Sequence, residues 1–557
     1  MPASISTFRA FVAVAALLGA AGGAHAASAP PKTVCTITVN SPDEKEAFRR
    51  HLPAGDYRFV ELVERGRKDW LAAACEQKVS CDALIISGHF DGGDEFYTDS
   101  FDASEYLTVL EMERASCSDS CPGVFSQLKE VYLFGCNTLK PEPHQTASAE
   151  IGRALLRSGH PAADVARLSA LLGEQHGRSN RDRMRQIFKD VPVIYGFSSK
   201  APLGRSAGPL LDRYFQTAPA GEVGSGQVSA KLLSLFAPSS MTVSSGLRDA
   251  DAQAAVRADS CRMIDERLST SQKIAFVHEL LRRDMAEVRM FLDDLERFTA
   301  GLGPRQRIDP KAAAAFAAIA SDQPARERFL TFARDADEPS VQTRMMALAR
   351  DIGWLTPAQE QSEFVRMLAD RLQRNVVGRD EVELACARGG EANKEPALQP
   401  LLGGALARAK VSNAAVLACL GSQEARARVV RAVTSEDAGD VAIARAYLRH
   451  QPLADAAEVR AVSGAITRMS ASDAQVRALE TLAQQRVSDP VSLREIARMF
   501  QLARTVAVQR AIAGILIRAD HRVLGATELA RSLKLHRLKS PDGEDVIDAL
   551  IRVLQAS

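Results

Sequence analysis

His89 and Cys136 each close a short apolar run, and from position 89 to position 136 the separation is 47. Ala83-Leu84-Ile85-Ile86 leads into Ser87-Gly88-His89, and Glu130-Val131-Tyr132-Leu133-Phe134 leads into Gly135-Cys136. Cysteine attacks as its thiolate, and a neighbouring imidazole can accept the thiol proton or stand beside the anion as a cation. Taken singly, a cysteine at the end of a buried strand is more often a small core residue, and a histidine there is usually a hydrogen-bonded loop residue. At matching positions the two residues are candidates for a thiolate nucleophile and its base or stabilising cation.

The surrounding pattern says how such a pair is positioned. Strand-like runs at 34–39, 57–63, 83–86, 130–134 and 191–197 alternate with helical stretches near 43–52, 69–75, 104–114 and 148–156. Ser41-Pro42-Asp43-Glu44 matches a capping box with proline at the first helical position. Strands alternating with helices predict a mostly parallel sheet covered on both faces. In such sheets ligands bind outside the carboxyl ends of the strands, and adjacent strands run about 4.8 Å apart. His89 and Cys136 would then face one crevice.

Leu84-Ile85-Ile86-Ser87-Gly88-His89 and Val131-Tyr132-Leu133-Phe134-Gly135-Cys136-Asn137-Thr138 resemble the two catalytic strands of caspase-fold cysteine peptidases (clan CD). The closer similarity is to the CHAT branch, and the separation of His89 and Cys136 is near the roughly 50 residues of caspases. The resemblance covers residues 33–216 and implies a caspase-like α/β domain. It implies His89 as base or imidazolium partner, Cys136 as nucleophile, and an oxyanion hole that includes the Cys136 N–H. One position departs from the pattern. The family usually carries glycine directly after the histidine, where its N–H helps form the oxyanion hole, and this chain has Phe90, with Gly92-Gly93 further on. The alternative reading is therefore a catalytically inactive caspase-fold protein serving as a binding scaffold.

The chain has 557 residues, with 70 Lys plus Arg against 69 Asp plus Glu, so its formal charge is +1. That balance argues against a dedicated nucleic-acid binder, which needs a basic face to displace counterions. Arg9, the apolar run 11–18 and Ala24-His25-Ala26 match a signal peptide cleaved after Ala26. The run is too short to anchor in a bilayer, which takes about 20 apolar residues. The expectation is a periplasmic or secreted protein without stable membrane insertion. Of nine cysteines, six lie between Cys35 and Cys136. In an oxidising compartment close pairs become disulfides, and Cys117 with Cys121 is one offered pair. Setting Cys136 aside leaves an even number. No His/Cys cluster has zinc spacing, and neither a metal nor another cofactor is expected.

Residues 217–250 are rich in Ala, Gly, Ser and Pro and read as a linker or a loosely packed edge; 251–557 reads as almost wholly helical. Leu493, Ile496, Ala497 and Phe500 follow helical spacing, as do Val508, Ala511, Ile512 and Ile515. Val459-Arg460-Ala461, Val476-Arg477-Ala478 and Val508-Gln509-Arg510-Ala511 each open an apolar stripe, with valines 17 and 32 residues apart. This resembles a HEAT-like α-solenoid, whose surface would bind a protein substrate or regulator. Three further segments bear on the site. The loop from Asp91 to Glu113 carries eight acidic residues without a Lys or Arg; it reads first as a solvated loop, and alternatively as a wall that would favour a basic substrate side chain or hold calcium through its oxygens. Residues 176–189 read as a charged helix face. Residues 196–204 read as a loop able to line a cleft with His89 and Cys136.

Overall fold

The computed structural model describes residues 30–62, 71, 75–76, 78–90, 93–98, 106–142, 152, 155–156, 159–176, 179–217, 221–392, 410–539 and 545–556. The expected signal peptide lies outside them, as do most of the predicted helices 69–75 and 148–156 and the acidic residues Asp91, Asp99, Asp102 and Glu105. The chain divides into two compact units: Met1–His144 with Arg178–Ala254, and Gln145–Gly177 with Ala255–Ser557.

The first unit is built on a six-stranded sheet in the order β2-β1-β3-β6-β7-β8. Its strands are β1 (Lys32–Thr38), β2 (Tyr57–Glu61), β3 (Ala83–Ser87), β6 (Glu130–Phe134), β7 (Val193–Phe197) and β8 (Met241–Ser244). All pair in parallel except β8, which runs antiparallel to β7. Because side chains alternate along a strand, each apolar run serves two cores. Val34, Ala83, Ile85, Tyr132, Phe134 and Tyr195 pack on one face with helices α1 (Asp43–His51), α5 (Gly204–Phe215) and α6 (Ala230–Phe236). Cys35, Ile37, Leu84, Ile86, Val131, Leu133 and Ile194 pack on the other with α2 (Val109–Cys117) and α4 (Asn180–Ile187).

Two segments differ in detail from their predicted form. Residues 217–250 form an edge of the sheet rather than a linker, and they contain α6 and the edge strand β8. Glu130 explains why this polar stretch is held. Its carboxylate, almost fully buried, accepts from the backbone N–H groups of Gly224, Ser225 and Gly226 at 2.8–3.0 Å and from the Tyr132 hydroxyl at 2.6 Å. The predicted helix 104–114 starts later, at Val109. Before it, β5 (Tyr106–Thr108) pairs antiparallel with β4 (Glu95–Tyr97), burying Phe96 and Leu107 completely. The Thr108 hydroxyl then caps α2 by accepting from Glu111 N–H at 3.1 Å.

The second unit is helical, and it recruits α3 (Ala162–His176) from between β6 and α4. Its helices stack in two layers over their C-terminal run. Arg379–Ala392, Ala438–His450, Ser472–Ala483, Val506–Leu516 and Val546–Ala556 succeed one another in one layer. Gln423–Ala432, Ala456–Thr467, Pro490–Leu502 and Ala526–His536 succeed one another in the other. Arginines mark the period by reaching an acid one step on: Arg426 to Glu458 at 2.8 Å and Arg510 to Asp545 at 3.0 Å, separations of 32 and 35 residues. Such partly exposed pairs contribute little stability each. The stabilisation comes from the apolar stripes, which join Phe364 through Leu554 into one continuous core. No helix among the described residues is long and apolar enough to cross a membrane.

Candidate active site

The register of β3 and β6 brings the two predicted site residues together. Ser87 pairs with Phe134, and Gly88 N–H donates to the Phe134 carbonyl at 3.0 Å. His89 and Cys136 therefore leave the carboxyl ends of adjacent parallel strands, and both line one cleft of about 40 Å³. Both are partly exposed. That volume holds a few waters or a small chemical group.

Cys136 is the free thiol among the described cysteines. Cys35 is bonded to Cys81, Cys75 to Cys121 and Cys386 to Cys419, and Cys117 and Cys261 are disulfide-bonded as well. The expected Cys117–Cys121 pair is not formed, because Cys121 is taken by Cys75. These bonds are compatible with an exported protein.

The chain beyond Cys136 is pinned at several points. Asn137 adopts a left-handed conformation, φ 61°, which asparagine tolerates better than most residues. Its N–H donates to the Ser199 carbonyl at 2.7 Å, and its carbonyl accepts from the Asn180 side chain at 2.9 Å. Thr138 donates to the Gly135 carbonyl and accepts from Phe197 N–H at 3.0 Å. Among the described residues no backbone acceptor takes the Cys136 N–H, so it can donate to a ligand oxygen.

His89 is held by its backbone in a two-way bridge with Tyr97, each N–H donating to the other's carbonyl at 2.9 Å. Its ring lies 5.4 Å from that of Tyr97. Phe90, the residue at odds with the family pattern, points away from the cleft. It is fully buried and its ring lies 4.6 Å from Phe96. Arg183 holds the far side of the same loop. Its buried guanidinium donates to the Gly93 carbonyl and pairs with Asp94 at 3.2 Å and Glu113 at 3.4 Å. Arg183 is thus no part of a solvated helix face, and two of the acids predicted to wall the site are neutralised by it.

Two further elements complete the cleft. Ala201, Pro202, Leu203 and Gly204 bring the loop after β7 and the start of α5 to it. Gly204 allows the approach, since a Cβ there would stand 2.1 Å from the Ser41 hydroxyl oxygen. Asn40, Ser41 and Glu44 supply the opposite wall. The Ser87 hydroxyl donates to the Ser41 carbonyl at 2.9 Å and ties this wall to β3.

Glu44 is the site residue that sequence reasoning missed. Its place in the sequence fits a capping box, but no such box forms: Ser41 accepts from Asp43 N–H at 3.2 Å, and no side chain caps α1. The Glu44 side chain turns into the cleft wall instead, 3% exposed. Burial pushes its carboxyl up to about 7, outweighing the hydrogen bond from its own backbone N–H, and neighbouring Asp43 adds to the rise.

Compared with known proteins, the chain matches no family model, no curated protein and no solved structure.

Proposed function

We propose that the first unit is an exported caspase-like cysteine peptidase, with Cys136 as nucleophile and His89 as its base and proton carrier, and that the HEAT-like helical unit recognises a protein substrate or regulator. The observation that carries the reading is the free Cys136 thiol lining one cleft with His89, while the other eight cysteines are bonded. In this mechanism His89 takes the thiol proton and the thiolate attacks the scissile carbonyl carbon. The carbonyl oxygen becomes an oxyanion facing the Cys136 N–H. Collapse expels the amine, which receives the proton from His89 and leaves an acyl thioester. Water then adds to the thioester, His89 accepts its proton, and the carboxylic acid departs as the thiol is restored.

Limiting iodoacetamide followed by peptide mass mapping tests this reading. Cys136 is expected to label fastest in the native protein, and His89→Ala to slow it at least tenfold. An inert Cys136 would leave the scaffold reading, with the helical unit carrying the function.

A further inference from the structure

We propose that Glu44 selects a cationic side chain, arginine or lysine, at the substrate residue whose carbonyl Cys136 attacks; the peptide arm of this inference rests on the peptidase reading.

Three observations lead there. Glu44 is buried in the wall of the cleft that His89 and Cys136 line, and its Oε2 has no hydrogen-bond partner among the described residues. A buried carboxyl oxygen without a donor is costly. Of the four basic side chains on the same helix, Arg49 is exposed and the other three have acidic partners. Lys45 pairs with Glu61 at 2.9 Å, while Arg50 and His51 pair with Asp212 at 3.5 and 2.9 Å. Finally, among the described residues that line the cleft, Glu44 and His89 are the ionisable groups besides the Cys136 thiol.

A guanidinium or ammonium entering the cleft would give Oε2 its missing donor and hold the carboxylate ionised. A substrate carboxylate would face Glu44 as a like charge. An aliphatic side chain would leave the oxygen unpaired. The selectivity therefore comes from one buried acid on the α1 wall, not from the acidic loop after His89.

The test has two arms on the full-length exported protein. In the first, coumarin amides of one peptide carrying Arg, Lys, citrulline, Leu or Asp before the scissile bond are compared. Wild type is expected to cleave the Arg and Lys peptides best. Glu44→Gln should lower kcat/KM for them by about 100-fold while its melting temperature at pH 4, where the wild-type carboxyl is also neutral, stays close to that of wild type. Equal cleavage of Arg and citrulline peptides, or an unchanged ratio in Glu44→Gln, overturns the inference and leaves the peptidase intact. The second arm needs no catalysis. Butylguanidinium and its neutral isostere butylurea are titrated calorimetrically into Cys136→Ala protein. Binding of the cation alone, lost on adding Glu44→Gln, supports the inference. Absence of cation binding in a folded Cys136→Ala protein overturns it whatever becomes of the peptidase reading.

Discussion

Phe90 and Gly135 touch so closely that a Cβ built on the glycine would stand 2.8 Å from the Cβ of Phe90. These are the residues directly after His89 and directly before Cys136. Their contact fixes how near the two chain segments run. Gly135→Ala should overpack this point and destabilise the first unit by about 1–3 kcal/mol. Phe90→Ala should cost about 3–5 kcal/mol through the cavity beside Phe96. Phe90→Ala keeps the Cβ that crowds position 135, so the double variant keeps the clash and the combined loss should come close to the sum. Urea denaturation of the four proteins measures the coupling; a combined loss well short of the sum would refute it.

The raised carboxyl of Glu44 makes stability depend on pH in a defined direction. Its folded value, about 7, lies above the ordinary 4.5. Between these values the folded state holds a proton that the unfolded state has released. Stability is therefore fully present below about 4.5, falls as pH rises towards 7, and levels off above it. At about 1.4 kcal/mol per unit the loss is on the order of 3 kcal/mol. Glu44→Gln cannot ionise, so it should gain on wild type at pH 8 and show no comparable gain at pH 4. Calorimetric scans of both proteins across this range check the sign.

Arg183 is predicted to be a positioning residue. Replacing it with leucine removes the guanidinium from buried Glu113 and the donor from Gly93, at a cost of about 3–5 kcal/mol. Hydrogen exchange should rise in the peptide spanning 89–97, and Cys136 alkylation should slow as His89 loses its fixed place. Arg183→Lys, which keeps the charge without the fork, is expected to restore part of both. Unchanged exchange in Arg183→Leu would remove the residue from this role.

Glu130 should decide whether residues 221–244 stay on the sheet. Glu130→Ala strips the acceptor from three backbone N–H groups, each costing about 1–3 kcal/mol if left buried and unpaired. Proteinase K is expected to cut the variant near 221–228 while wild type resists there. Equal resistance of the two proteins would show that β8 alone holds the segment.

The central strands were legible because parallel strands buried on both faces are uninterrupted apolar runs stopped by small residues, as at Ser87-Gly88 and Gly135. β8 was hidden for the opposite reason. It pairs on one side only, its residues are mostly half-buried, and Met241-Thr242-Val243-Ser244 sits among serines and glycine. The helical period was legible in the valines. Val476 and Val508 lie on Ser472–Ala483 and Val506–Leu516, which stack directly in one layer, while Val459 opens a helix of the other. At the site, strand ends disclosed His89 and Cys136, but Glu44 fitted a local rule well enough to conceal it. An acid three residues after a serine is evidence for a cap only if its side chain stays with the backbone, and burial decides that. The disulfide partners were illegible since pairing depends on which loops the fold brings together.

The excursion of Gln145–Gly177 into the helical unit makes the chain pass between its two units three times. Dissecting the gene is therefore not a matter of one boundary. A fragment ending near Ala254 would carry Leu155, Val165 and Leu168 without the core they pack into, presenting an apolar stripe to water. A fragment starting near Ala255 would lack those same three side chains. Independent production of either half calls for an internal deletion, of 145–177 from the first and of 178–254 from the second, and a simple truncation of either end should yield insoluble material.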